Sequence, residues 1–160
     1  MADAQIYADL KRDHDRHRAL LEKISDTSRG SDERGALFEE LRKELQAHAA
    51  AEEESLYSLM LANPDLRDEA RHSVSEHKEI DDFLGELVEM SPDESGWIAK
   101  FREMRERYEH HIDEEEEEMF PSASKELPKS DEDKAAKVFE ERKPKELERA
   151  ESEQPGDARD

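Results

Sequence analysis

The chain has 160 residues, of which 44% are charged and 33% hydrophobic, with a net charge of −21. That length suits one domain, the charge repels phosphate backbones and argues against nucleic-acid partners, and so small an apolar share calls for narrow stripes on helices rather than a broad sheet core. With no cysteine there is no disulfide, thiolate metal site or iron–sulfur cluster, so any metal must be held by histidine and carboxylate.

In chain order, the first predicted helix runs from about residue 4 to 28, with Gly30 as its C-terminal cap. A second follows Ser31, its N-terminal dipole favoured by Asp32 and Glu33, and ends near Ala62. Asn63-Pro64 reads as an N-cap followed by proline in the first turn, opening a third helix to about Met90. Ser91-Pro92-Asp93-Glu94 repeats that logic, with Glu94 as the far partner of a capping box, and the fourth helix stops at Pro121 after about Phe120. The joints are short, which predicts antiparallel neighbours. The expected fold is all-α: an up-down-up-down four-helix bundle over residues 1–125, a short helical appendage at 126–142 carrying Val138 and Phe139, and a disordered acidic/basic tail at 143–160 with almost nothing to bury. Deleting that tail is expected to cost little stability. The first residues have no basic start or apolar run, and no apolar stretch approaches the roughly 18 residues of a membrane span, so neither a signal peptide nor a membrane partner is expected and a cytoplasmic location is.

Each helix carries one stripe at three- and four-residue steps: Tyr7, Leu10, His14, His17, Leu21 and Ile24; Leu41, Leu45, His48, Glu52, Leu56 and Leu59; Leu66, Ala70, Ser73, His77, Ile80, Leu84 and Leu87; Trp97, Phe101, Met104, Tyr108, His111, Glu115 and Met119. Every stripe is apolar except for a gap of His and Glu, and a carboxylate persists in a core only when it is paired or metal-bound. Two gaps are copies of one pattern. His48-Ala-Ala-Ala-Glu52 and His111-Ile-Asp-Glu-Glu115 each place an imidazole above a carboxylate on one helix face, and each is followed by an aromatic, Tyr57 or Phe120. Counted from the shared end of an antiparallel bundle, the four gaps lie within about one helical turn of each other. Histidine and carboxylate ligands at that level suit iron or manganese; a closed structural zinc site would usually use cysteine.

This pattern resembles the hemerythrin-like family, the HHE cation-binding domain, over about residues 4–125. The resemblance rests on Asp13-His14, on His48 to Tyr57 (HAAAEEESLY), on Glu76-His77 and on His111 to Pro121 (HIDEEEEEMFP). It implies two iron ions with His14, His48, His77 and His111 as terminal ligands, Glu52 and Glu115 as bridging carboxylates, and an oxo or hydroxo group completing the bridge. It leaves a position for dioxygen, peroxide or nitric oxide. The oxygen carriers of the family have HxxxH on the third helix, whereas here Ser73 stands four residues before His77; that opens the centre and puts simple oxygen carriage in doubt.

The remaining histidines stay open at this point. His17 is either a fifth ligand or a hydrogen-bonded core residue, His72 falls off its stripe, and His110 with Glu114 offers an alternative frame to His111 with Glu115. The rest of the Glu114 to Glu118 run reads as a solvated face, and Tyr57 and Phe120 as packing residues. No inward Lys, Arg or Ser suggests acid–base machinery for an organic substrate. The sequence thus points to a di-iron protein that binds or senses small oxygen or nitrogen species or handles iron, with an enzyme that disproportionates peroxide or reduces nitric oxide as the alternative.

Overall fold

The computed structural model describes residues 4–29 and 31–155, and among these all regular structure is helical. The expected cap at Gly30 and the last five residues of the tail, 156–160, lie outside the described residues. The helices are α1 (Gln5–Ser25), α2 (Asp32–Glu52), α3 (Ser58–Ala62), α4 (Arg67–Glu89), α5 (Trp97–Glu114), α6 (Phe120–Glu126) and α7 (Lys129–Ser152). Two π-helical segments, Glu53–Tyr57 and Glu115–Met119, join α2 to α3 and α5 to α6 without a break.

The punctuation residues act much as their chemistry predicts. Ser31 caps α2 by accepting a hydrogen bond from the Arg34 amide. The Glu94 carboxylate accepts from the Ser91 amide at 3.0 Å, one half of a capping box, although α5 itself starts at Trp97. Asn63 Oδ1 accepts from the Asp65 amide, so Asn63-Pro64 forms a turn and α4 begins at Arg67. At the close of α1, buried Arg34 donates to the Thr27 carbonyl and hydroxyl and to the Pro92 carbonyl, tying two interhelical joints together.

Two expectations are corrected. Pro121 does not stop its helix. The Phe120 amide donates five residues back to the Glu115 carbonyl, so the helix restarts there and Pro121 falls in the first turn of α6, where its missing N–H costs little. Residues 143–152 of the expected tail are not disordered, and the appendage does not end at Arg142: α7 continues through Pro144 to Ser152 and packs along α2 and α1. Apart from Phe139, what it buries is small or amphipathic rather than absent, namely Glu132, Ala135, Ala136, Glu146 and Ala150, a face too polar to read as a stripe.

The apolar side chains form two clusters separated by a polar layer. One holds Leu10 of α1, Leu56 and Met60 after α2, Ala70 of α4, and Met119 and Phe120 after α5. The other holds Leu21 and Ile24 of α1, Leu41 and Leu45 of α2, Leu84 of α4, and Trp97 and Phe101 of α5. No helix among the described residues is long and apolar enough to cross a membrane.

Candidate metal centre

The polar layer is built by α1, α2, α4, α5 and the two π segments. His14, His48, Glu52, His77, His111 and Glu115 are all buried there, at 5% exposure or less. His48 Nε2 lies 3.5 Å and His77 Nε2 3.3 Å from Oε1 of Glu52. His14 Nε2 lies 3.6 Å from Oε1 of Glu115, and His111 Nε2 3.1 Å from its Oε2. Two groups of ligand atoms within metal-binding range result, one of His14, His48 and Glu52, the other of His77, His111, Glu52 and Glu115, with Glu52 common to both.

Each imidazole is oriented by an acid from the neighbouring helix. Asp13 of α1 meets His48 Nδ1 at 2.8 Å; Glu53 meets His77 Nδ1 at 2.9 Å; Glu76 of α4 meets His111 Nδ1 at 2.8 Å; Glu116 meets His14 Nδ1 at 2.6 Å. A carboxylate only accepts, so each Nδ1 carries the proton and each Nε2 is turned to the centre. The four links run α1 to α2, to α4, to α5 and back to α1. Every acid is a chain neighbour of a central residue: Asp13 precedes His14, Glu53 follows Glu52, Glu76 precedes His77, and Glu116 follows Glu115. Glu116 is therefore not part of a solvated face.

The π segments explain another surprise. In an unbroken α-helix Tyr57 would lie about 180° around from His48. The additional residue in the wide turn rotates it back, and it is fully buried with its hydroxyl donating to Glu115 Oε2 at 2.6 Å. It also stacks on His77, with centroids 5.3 Å apart. Phe120, its counterpart, stacks on His14 at 6.1 Å and has no hydroxyl to offer. Tyr57 is thus part of the site and not simple packing.

The electrostatics follow from burying two carboxylates side by side. Burial and the Glu52 charge push the Glu115 carboxyl up; for Glu52, burial is outweighed by the neighbouring Glu115 carboxyl and the His48 and His77 imidazoles, which hold it well below the usual carboxylate range. Burial opposes the charged form of His48, but Asp13 and Glu52 overcome it and raise its pKa to about 9. Glu115 and Glu76 likewise outweigh the burial of His111, which rises to about 10.

Five buried ligand atoms have no hydrogen-bond partner among the described residues: Nε2 of His14 and His48, both oxygens of Glu52, and Oε1 of Glu115. Leaving such atoms bare costs about 1–3 kcal/mol each. They face one another across the layer, which is the arrangement a cation satisfies, so the residues fit a metal.

The other histidines separate clearly. His17 is fully buried; its Nδ1 pairs with the Tyr108 hydroxyl at 2.7 Å, and burial lowers its pKa to about 4. His72 and His110 are exposed; His110 Nε2 lies 3.2 Å from Glu114 on the surface, so that alternative frame does not enter the core. Ser73 is buried, its hydroxyl donating to Met119 Sδ, and it lines a cavity of about 280 Å³ with His111 and Glu115 and an acidic mouth that includes Glu114 and Glu118. One inward lysine went unforeseen: Lys143 of α7 reaches Asp13 Oδ2 at 2.7 Å and Glu44 Oε2 at 2.9 Å.

Residues 5–123 match the hemerythrin HHE cation binding domain. A solved structure, a hemerythrin HHE cation binding domain-containing protein from Mycobacterium kansasii, is 27% identical over 96% of this chain and 94% of that one, with a TM-score of 0.74. A comparison with curated proteins gives no match. On the match over residues 5–123, this chain belongs to the hemerythrin family and carries its HHE cation-binding domain.

Proposed function

We propose that the protein holds two iron ions between α1, α2, α4 and α5 and that this centre takes dioxygen, peroxide or nitric oxide, for binding, sensing or iron handling. His14 and His48 would hold one ion, His77 and His111 the other, with Glu52 and Glu115 between them. The observation that carries this reading is the convergence of unpartnered, buried nitrogen and oxygen atoms at one level. The all N/O donor set, with two carboxylates between four imidazoles, suits iron better than zinc and leaves manganese as the second choice. Bound iron supplies a redox-active centre with room for a small ligand; the protein positions the imidazoles through the four acids, excludes bulk water with the two apolar clusters, and holds a proton at the Tyr57 hydroxyl beside Glu115. We read the four site helices as an up-down-up-down bundle, a reading supported by the order of the clusters, which reverses between α1 and α2 and again between α4 and α5.

A second reading is an enzyme that disproportionates peroxide or reduces nitric oxide. It is favoured by the cavity at Ser73, which reaches His111 and Glu115. Loading iron(II) anaerobically and then admitting oxygen or peroxide separates the two: a visible band that reverses on degassing supports binding, and sustained peroxide turnover supports catalysis. Uptake of less than about one iron per chain, unchanged by His48→Ala, defeats both.

A further inference from the structure

A second cavity borders the centre, unlike the acidic one at Ser73. Between α2, α4 and the end of α7 lies a cavity of about 60 Å³, lined inside by His48, His77 and Tyr108 and walled by Leu45, Ile80 and Leu84. Its outer wall is supplied by α7 and the chain just after it, through Glu146, Arg149, Ala150, Glu153 and Gln154. A buried arginine fastens that wall. Arg42 of α2 is 1% exposed and donates to the Glu153 carbonyl at 3.0 Å and to Gln46 Oε1 at 2.7 Å. Two residues further on the chain has crossed to α4, where a β-carbon on Gly85 would meet Pro155 Cβ at 3.9 Å.

We propose that this cavity is the binding pocket through which the small ligand reaches the centre, that residues 146–155 are its lid, and that Arg42 is the latch; the inference rests on the di-iron reading above. The volume has room for only a few water molecules, so the pocket suits molecules of a few heavy atoms rather than large organic substrates. Apolar side chains of Leu45, Ile80, Leu84 and Ala150 alternate with charges of both signs, Asp81, Glu146, Arg149 and Glu153, so the cavity favours no ion and suits dioxygen, nitric oxide and neutral peroxide, whereas the acidic mouth at Ser73 suits cations. Ligand entry therefore depends on a part of the chain outside the matched domain at residues 5–123.

The test compares the full chain with Ala150→Leu, which fills the cavity from the lid, and Arg42→Met, which releases the latch. None of the ligands is altered, so all three proteins should load the same amount of iron. Nitric oxide association with the iron(II)-loaded protein, followed by stopped-flow absorbance, is expected to slow about tenfold or more in Ala150→Leu and to speed up in Arg42→Met. Xenon binding to the metal-free protein, read by ¹²⁹Xe NMR, should occur in the parent and vanish in Ala150→Leu. Equal nitric oxide rates in all three overturn the proposal, and so does a parent that binds no xenon. Failure to load iron removes the di-iron reading instead, and the xenon result then decides the cavity alone. If one variant does not fold, the other still gives a rate to compare.

Discussion

The Tyr57 hydroxyl reaches across from the segment after α2 to donate to Oε2 of Glu115, the carboxylate at the end of α5. This contact breaks an internal symmetry. The two halves of the bundle match residue for residue, Asp13-His14 with Glu76-His77, His48 with His111, Glu52 with Glu115, Glu53 with Glu116, and Tyr57 with Phe120. Because only one of the last pair has a hydroxyl, Glu115 has a protein donor on one oxygen while both Glu52 oxygens lack a partner among the described residues. The two carboxylates, alike in sequence, are therefore unlike in chemistry.

Tyr57→Phe is expected to retain metal while losing about 1–2 kcal/mol of stability in the metal-free protein, the usual cost of leaving a buried acceptor bare. Denaturant unfolding checks the second part and metal analysis the first. A shift in the visible spectrum of the iron-loaded variant would show that Glu115 has changed its orientation; an unchanged spectrum would reduce Tyr57 to packing.

The acids behind the imidazoles should govern affinity. Asp13→Asn and Glu76→Gln are each expected to weaken metal binding about 10–100-fold, because the Nδ1 partner loses its charge while the ligand itself remains. Glu86→Gln, which alters only a surface pair with Lys100, is the matched control. Competition with a chromophoric chelator measures all three.

Lys143→Met removes the cation between Asp13 and Glu44 and leaves both carboxylates partly buried without it. A loss of about 1–3 kcal/mol is expected. The loss should fall on α7 before the bundle, so hydrogen exchange should accelerate across residues 129–152 while the amides of α5 keep their protection. Uniform acceleration across all helices would show instead that α7 and the bundle open as one unit.

Removing the metal should lower the melting temperature. Metal at about 100 times its dissociation constant contributes about 2.7 kcal/mol. For a chain of this size that corresponds to about 5–10 °C. Calorimetry with and without chelator reads it, and His48→Ala should show a smaller difference between the two conditions.

The helices from α1 to α5 and the six central residues were legible because each stripe alternates cleanly between apolar residues and a single polar gap, and buried polar groups in such a gap need a partner. What escaped has two physical causes. Periodicity assumes an unbroken α-helix, and the π segments violate it: Tyr57 fell on the wrong face and Pro121 looked like a stop. Amphipathic side chains also hide their burial. Glu116 sits in a run of five glutamates, and Lys143 and Glu146 lie in a stretch that reads as fully solvated, yet the first orients His14, the second ties α7 to Asp13 and Glu44, and the third is buried. The one available signal was the placement of an acid directly beside a central residue on all four helices.

That circuit of acids and imidazoles has a mechanical consequence. Each helix both gives a carboxylate and receives one, so the links close like a hoop around the bundle. Sliding any one helix by a single turn would break two of them together, and no pair of helices can adjust its register alone. The layer therefore acts as a vernier that fixes the alignment of all four helices at once, before any ion arrives to exploit it.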